Sequence, residues 1–266
     1  MSGAAAGVDQ VGRVILAELD PSKLALFLDS VSRTRSDALA VLTDCIEKLD
    51  AEQKARCLTT WGDLEVRATH YDAAELRYQE ALSWIKAWAP AYSGLGSIEA
   101  AKGNQSKAEN YFRRSLELDR GLRAAHYNLA LLHRFDGNWD AATGEAKLSI
   151  ENGIRGAPGL AVLGDLAYRR NQDARGHDLF VAAVAADPGN ASTLTRWGSS
   201  LLHRGRIDEG NNKFRIAAKL RPASAAVFDE WGGAFEVLGL CRDAAEKRRL
   251  ALGLDPENPG IEVNLV

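Results

Sequence analysis

The stretch TTWGDLEVRATHYDAAELRYQEAL, residues 59–82, decides the fold, because its layout returns along the chain. SGLGSIEAAKGNQSKAENYFRRSL (93–116) and TRWGSSLLHRGRIDEGNNKFRIAA (195–218) follow the same plan. Stepping by 34 from Ala55 yields six blocks without insertion or deletion: 55–88, 89–122, 123–156, 157–190, 191–224 and 225–258. Such a period marks a stack of supersecondary units, each burying its apolar face against its neighbours.

Each shared position has a physical role. The eighth is small in every block: Gly62, Gly96, Ala130, Gly164, Gly198, Gly232. So is the twentieth: Ala74, Ala108, Ala142, Gly176, Gly210, Ala244. Small residues there let two antiparallel helices approach, where larger ones would overpack at roughly 1–3 kcal/mol. Position seven is large and apolar (Trp61, Leu95, Leu129, Leu163, Trp197, Trp231), and position four lies on the same helical face. Tyr78, Phe112, Phe180 and Phe214 fill position twenty-four, with Ala146 in the third block. Gly103, Gly137, Asn171, Gly205 and Gly239 mark turns within hairpins, and Asp187-Pro188, Arg221-Pro222 and Asp255-Pro256 end the second helices.

Over 55–258 this pattern resembles the tetratricopeptide repeat (TPR). The resemblance implies an all-α, right-handed superhelical solenoid of antiparallel helix pairs. The third block departs most, with Ala146 for an aromatic and Ile154 where proline is common; the glycine-rich 151–159 is expected to be a looser joint. Residues 1–54 show helical apolar spacing off the consensus. They read as an N-terminal helical cap, with 21–54 a degenerate repeat-like hairpin. At the other end Arg248 replaces the aromatic at position twenty-four, so the last helix presents charge. In the tail, 259–266, Ile261, Val263 and Val266 either fold back or stay exposed for a partner.

The chemistry on offer is sparse. With 46% hydrophobic and 26% charged residues and a net charge of -3, the chain lacks the positive field of a nucleic-acid binder. No apolar run is long enough for membrane insertion, and the start, MSGAAAGVD, does not read as a secretory signal. Cys45, Cys57 and Cys241 lack metal-ligand spacing and read as free thiols of a cytoplasmic protein. His126 and His133 are seven apart, whereas a helical metal pair uses four. Gly94-Leu95-Gly96 is explained by the repeat rather than by phosphate binding, and Asp229-Glu230 point away from each other on a helix. Trp61, Trp197 and Trp231 fall at a packing position, so carbohydrate stacking is not the reading. No enzyme, cofactor or metal site is expected.

Function then falls to the surface. In the TPR family the first helix of each pair lines a concave groove through positions two, five, six, nine, twelve and thirteen. Carried onto this sequence, the first two repeats offer small polar groups such as Thr59, Thr60, Ser93, Gly94 and Ser97. Repeats three to five offer Tyr127, Asn128, Leu131, Arg134, Phe135, Asp165, Tyr168, Arg169, Arg196, Ser199 and His203. Aromatic area beside arginine forks is the composition of interface hot spots. Asn128 sits where family members hydrogen-bond an extended ligand's backbone. The basic clamp by which some members grip a chaperone's C-terminal carboxylate is incomplete, with Ser93 and Ser97 before Asn128 and Pro158 and Val162 after it.

The expected function is a non-enzymatic, protein- or peptide-binding adaptor or scaffold in a bacterial multiprotein assembly. The alternatives are a chaperone for a secreted or assembly-prone client, or a regulatory subunit of an enzyme on another chain. Homo-oligomerisation is compatible with either.

Overall fold

The computed structural model describes residues 49–151, 156–256 and 261. Nearly all of the proposed N-terminal cap, Cys45, residues 152–155 of the proposed joint and most of the tail lie outside them. Among the described residues the secondary structure is helical throughout, without a strand. The helices are α1 (Ala51–Arg67), α2 (Tyr71–Trp84), α3 (Ala89–Ala101), α4 (Gln105–Leu118), α5 (Arg123–Phe135), α6 (Trp139–Glu151), α7 (Ala157–Arg169), α8 (Asp173–Ala186), α9 (Ala191–His203), α10 (Ile207–Leu220), α11 (Ala225–Val237) and α12 (Cys241–Leu254). From α3 onward the odd-numbered helices start every 34 residues.

α1 starts four residues before the first block because a capping box sits there. Asp50 Oδ1 accepts from the Gln53 backbone at 2.8 Å, and Gln53 Oε1 accepts from the Asp50 backbone at 3.2 Å. The turn inside each pair is built alike, with its fifteenth residue left-handed: Gly103, Gly137, Gly205 and Gly239, but also Asn171 and Thr69 at φ 60°. The next N–H reaches back five residues, as Asn104 does to Glu99 at 2.8 Å and His70 to Glu65 at 2.9 Å. This Schellman closure satisfies carbonyls at the end of the first helix. Thr69 is the costly member, being β-branched where glycine is at ease.

Contacts divide the chain into two compact units, residues 1–128 and 129–266, with the division inside α5. In the first, α1 pairs with α2 and α3 with α4, while α3 also packs on α1 and α2. Its core joins Leu58, Tyr78, Leu95 and Ile98 with Ala55, Ala74, Ala81 and Ala91. Tyr78 lies so close to Gly62 that a β-carbon there would meet its ring at 2.5 Å; Gly96 faces Phe112 in the same way. The Tyr78 hydroxyl leaves the core to donate to Asp63 at 2.7 Å. Buried Ser115 donates to the Ala89 carbonyl at 2.7 Å, tying α4 to the start of α3.

In the second unit α7–α8, α9–α10 and α11–α12 pair, α6 packs on α7, and the first helices α7, α9 and α11 lie against one another in series. Phe180 and Phe214 fill the slots left by Gly164 and Gly198, where a β-carbon would come within 2.8 and 2.7 Å of a ring atom. Each ring then stacks on the next pair's tryptophan: Phe180 on Trp197 at 5.5 Å, Phe214 on Trp231 at 5.3 Å. In the third repeat Ala146 takes the aromatic's place, and it and Ala130 are both fully buried. Glycines 156 and 159 of the proposed joint have a packing role: a β-carbon at Gly159 would press on Ile150 and the Ala146 carbonyl.

Every tryptophan at position seven carries a cation from position twenty-three over its ring. Arg77 lies 3.9 Å from the Trp61 centroid, Lys213 3.4 Å from Trp197 and Lys247 4.6 Å from Trp231. These tryptophans are therefore packing residues, as their spacing indicates, although Trp61 is only half-buried.

Candidate protein-binding face

The first helices carry the residues singled out from sequence, and the structure sorts them. At the end of the first unit, Tyr127 and Asn128 are half-buried. Asn128 Nδ2 donates to Ser97 Oγ at 3.0 Å and lies 3.5 Å from Ser93 Oγ. The small polar residues before Asn128 are thus its hydrogen-bond partners.

In the second unit four predicted residues converge. Asp165 of α7, 6% exposed at its side chain, accepts from Arg134 of α5 and from Arg169 of its own helix, each at 3.1 Å and both on Oδ2. Its Oδ1 faces the Ser200 hydroxyl of α9 at 2.9 Å. The same hydroxyl is 2.9 Å from the Arg196 carbonyl, so its single proton serves one acceptor or the other. Burial pushes the Asp165 carboxyl up, but Arg169, Arg134 and Arg196 together outweigh it and hold the group below the usual carboxylate range. Burial pulls the Arg134 guanidinium below its ordinary value; Asp165 opposes this, while Arg196 and Arg169 add to it. Arg134 Nε is buried without a hydrogen-bond partner among the described residues.

Around this centre, Arg169 lies 5.6 Å from the Trp139 ring and is 37% exposed. Phe135, at 76%, is the most exposed large apolar side chain described. Leu131 is half-buried; Ser199 donates to Glu230 at 3.2 Å, and the exposed His203 ring donates through Nδ1 to the Ser199 carbonyl at 2.6 Å.

Tyr168 is the correction. It is 1% exposed, packs its ring 6.1 Å from Phe180 and belongs to the core, so it is not a surface residue. The sequence holds the reason at position twenty, where Gly176 replaces alanine because a β-carbon would meet the Tyr168 ring at 2.7 Å. Leu202 and Gly210 repeat the exchange. Ser200 and Trp139 are the members that position counting missed; neither occupies one of the counted surface positions.

Among the described residues there is no group of three or more His, Cys, Asp or Glu able to hold a metal, and no helix long and apolar enough to cross a membrane. His126 is buried at its packing position, its Nε2 3.0 Å from the Arg120 carbonyl. Cys57 is buried and Cys241 exposed.

No family model matches the sequence, and no curated protein matches it either. Solved structures do. The hetero-tetramer Cut9–Hcn1 of APC/C aligns over 93% of this chain and 49% of its own, at TM-score 0.63 and 15% identity. TTC0263, a TPR protein of Thermus thermophilus, aligns over 64% of this chain and 93% of its own, at 0.55 and 19%. PilF of Pseudomonas aeruginosa aligns over 78% and 95%, at 0.52 and 12%.

The fold is the tetratricopeptide repeat. At such low identities the likeness speaks for fold alone. Within the TPR frame, Arg134 and Arg169 stand at positions twelve and thirteen and Arg196 at position six. The cluster therefore draws on three consecutive TPR first helices: α7 and α9 pack on each other, and Arg134 of α5 reaches Asp165.

Proposed function

We propose that this chain is a non-enzymatic adaptor or scaffold of a bacterial multiprotein assembly, binding a protein or peptide on the face formed by its first helices. The observation that carries the reading is the convergence of Arg134, Asp165, Arg169 and Arg196 beside exposed Phe135 on that face. A large exposed aromatic next to forked cations costs solubility and adds nothing to the core, and both types are enriched in interface hot spots.

The test is affinity capture with the tagged chain, followed by reconstitution with the purified partner and calorimetry. Ser199→Trp on α9 is expected to block the partner. Val181→Asp with Ile216→Asp, on the exposed surface of α8 and α10, is expected to leave it bound. The opposite pattern would move binding to the second helices and overturn the reading.

A further inference from the structure

The Asp165 centre holds more donors than acceptors. A guanidinium offers five N–H groups and a carboxylate two oxygens. Here two guanidinium groups meet one oxygen, Asp165 Oδ2, each through a single contact, while Ser200 faces the other oxygen. Neither arginine forms the two-point fork that makes arginine–carboxylate pairs strong. Arg134 Nε is left buried and unpartnered among the described residues, and Arg196 adds its charge to the same neighbourhood. Arg134 and Arg169 share that single carboxylate, and their mutual repulsion is what a second anion would relieve.

We propose that this cluster is a receptor for a carboxylate carried by the bound partner, with Asp165 as the internal counter-ion that keeps the arginines in place while the site is empty. The proposal rests on the first-helix face being the binding face. Arg169 is the residue that first meets the ligand. Its Nε is held by Asp165 and its face lies towards Trp139, so the guanidinium is oriented while partly open to solvent. Phe135, next to Arg134 in the sequence and at the same repeat position of the preceding first helix, supplies exposed apolar area. The recognised segment is thus a carboxylate next to an apolar side chain. A phosphate would draw on the same arginines, and a phosphoserine peptide tells the two anions apart.

Fluorescence anisotropy on the full chain at low salt tests this with four labelled peptides of one Phe-containing sequence. One carries Glu with an amidated terminus, one Gln with a free terminus, one Gln with an amidated terminus, and one phosphoserine with an amidated terminus. Binding of the first identifies an acidic side chain, binding of the second a chain-terminal carboxylate, and either supports the proposal. Arg169→Gln is expected to weaken that binding about ten- to a hundredfold with unchanged helicity and melting. Equal binding of the neutral peptide, tighter binding of the phosphopeptide, binding of no acidic probe, or indifference to Arg169→Gln overturns it. If the acidic probes fail while Ser199→Trp still blocks the captured partner, only the carboxylate proposal falls. If Ser199→Trp leaves capture intact, the broader reading falls.

Discussion

Asp165→Ala removes the one carboxylate on which Arg134 and Arg169 converge, and the structure sets the size of the loss. Arg134 is 26% exposed at its side chain and Asp165 6%, so this pair is largely shielded from water. Removing one partner of a buried pair costs about 3–5 kcal/mol, mostly from the orphaned charge. The Arg169 contact is 37% exposed and adds little. Ser200 keeps the Arg196 carbonyl as a partner. The lower end applies, about 3 kcal/mol, or roughly 6–12 °C in Tm.

The sign with pH follows from the depressed carboxyl. Its stabilisation is fully present above the unfolded value near 3.9 and is lost as pH falls through the lower folded value. Urea unfolding followed by helical circular dichroism should show a constant gap between native and variant from about pH 5 to 8, narrowing below about pH 4. Asp165→Ala with Arg134→Leu should recover part of the loss, since the penalty lies in the stranded guanidinium. A gap under about 1 kcal/mol, or one as wide in acid as at neutrality, would refute this account.

Other expectations follow from packing. Gly198→Ala should destabilise by up to about 2 kcal/mol, because Phe214 and the Gly210 carbonyl crowd the new methyl and outweigh the helix propensity gained. Gly144→Ala, with open space around it in α6, should instead stabilise by roughly 0.5–1 kcal/mol; thermal melts of the two variants check both signs. Thr69→Gly should raise stability by about 1 kcal/mol by relieving its left-handed backbone, and an unchanged urea midpoint would count against that. A double-mutant cycle on Trp197 and Lys213 should return a coupling of about 0.5–2 kcal/mol, against near zero if the cation merely lies nearby.

Much of the fold was legible because a repeat states each packing requirement several times over. Small residues at eight and twenty, aromatics at twenty-four and turn residues at fifteen each recur, so a single exception such as Ala146 does not hide the register. Exceptions that compensate each other were harder to see. Gly176 beside Tyr168 and Gly210 beside Leu202 exchange volume between two positions, and only the observed contact shows which side chain took the space. Thr69 escaped because a threonine does not advertise positive φ. The cations over the three tryptophans were readable in principle as a seven–twenty-three pairing, but lysine and arginine on a helix carry no mark of what they cover.

By itself, then, the sequence determined that the chain folds into paired helices of one repeat length, because backbone geometry and periodic burial leave local traces. It also named the surface positions from which the site is drawn. Only the tertiary structure decided what those positions do: Tyr168 turns into the core, Asn128 is engaged by Ser97, and Arg134, Asp165 and Arg169 close into one charged centre with Ser200. The reason is physical. A hydrogen bond across 31 or 35 residues depends on how neighbouring helices pack, and that packing is set by side chains elsewhere in the core.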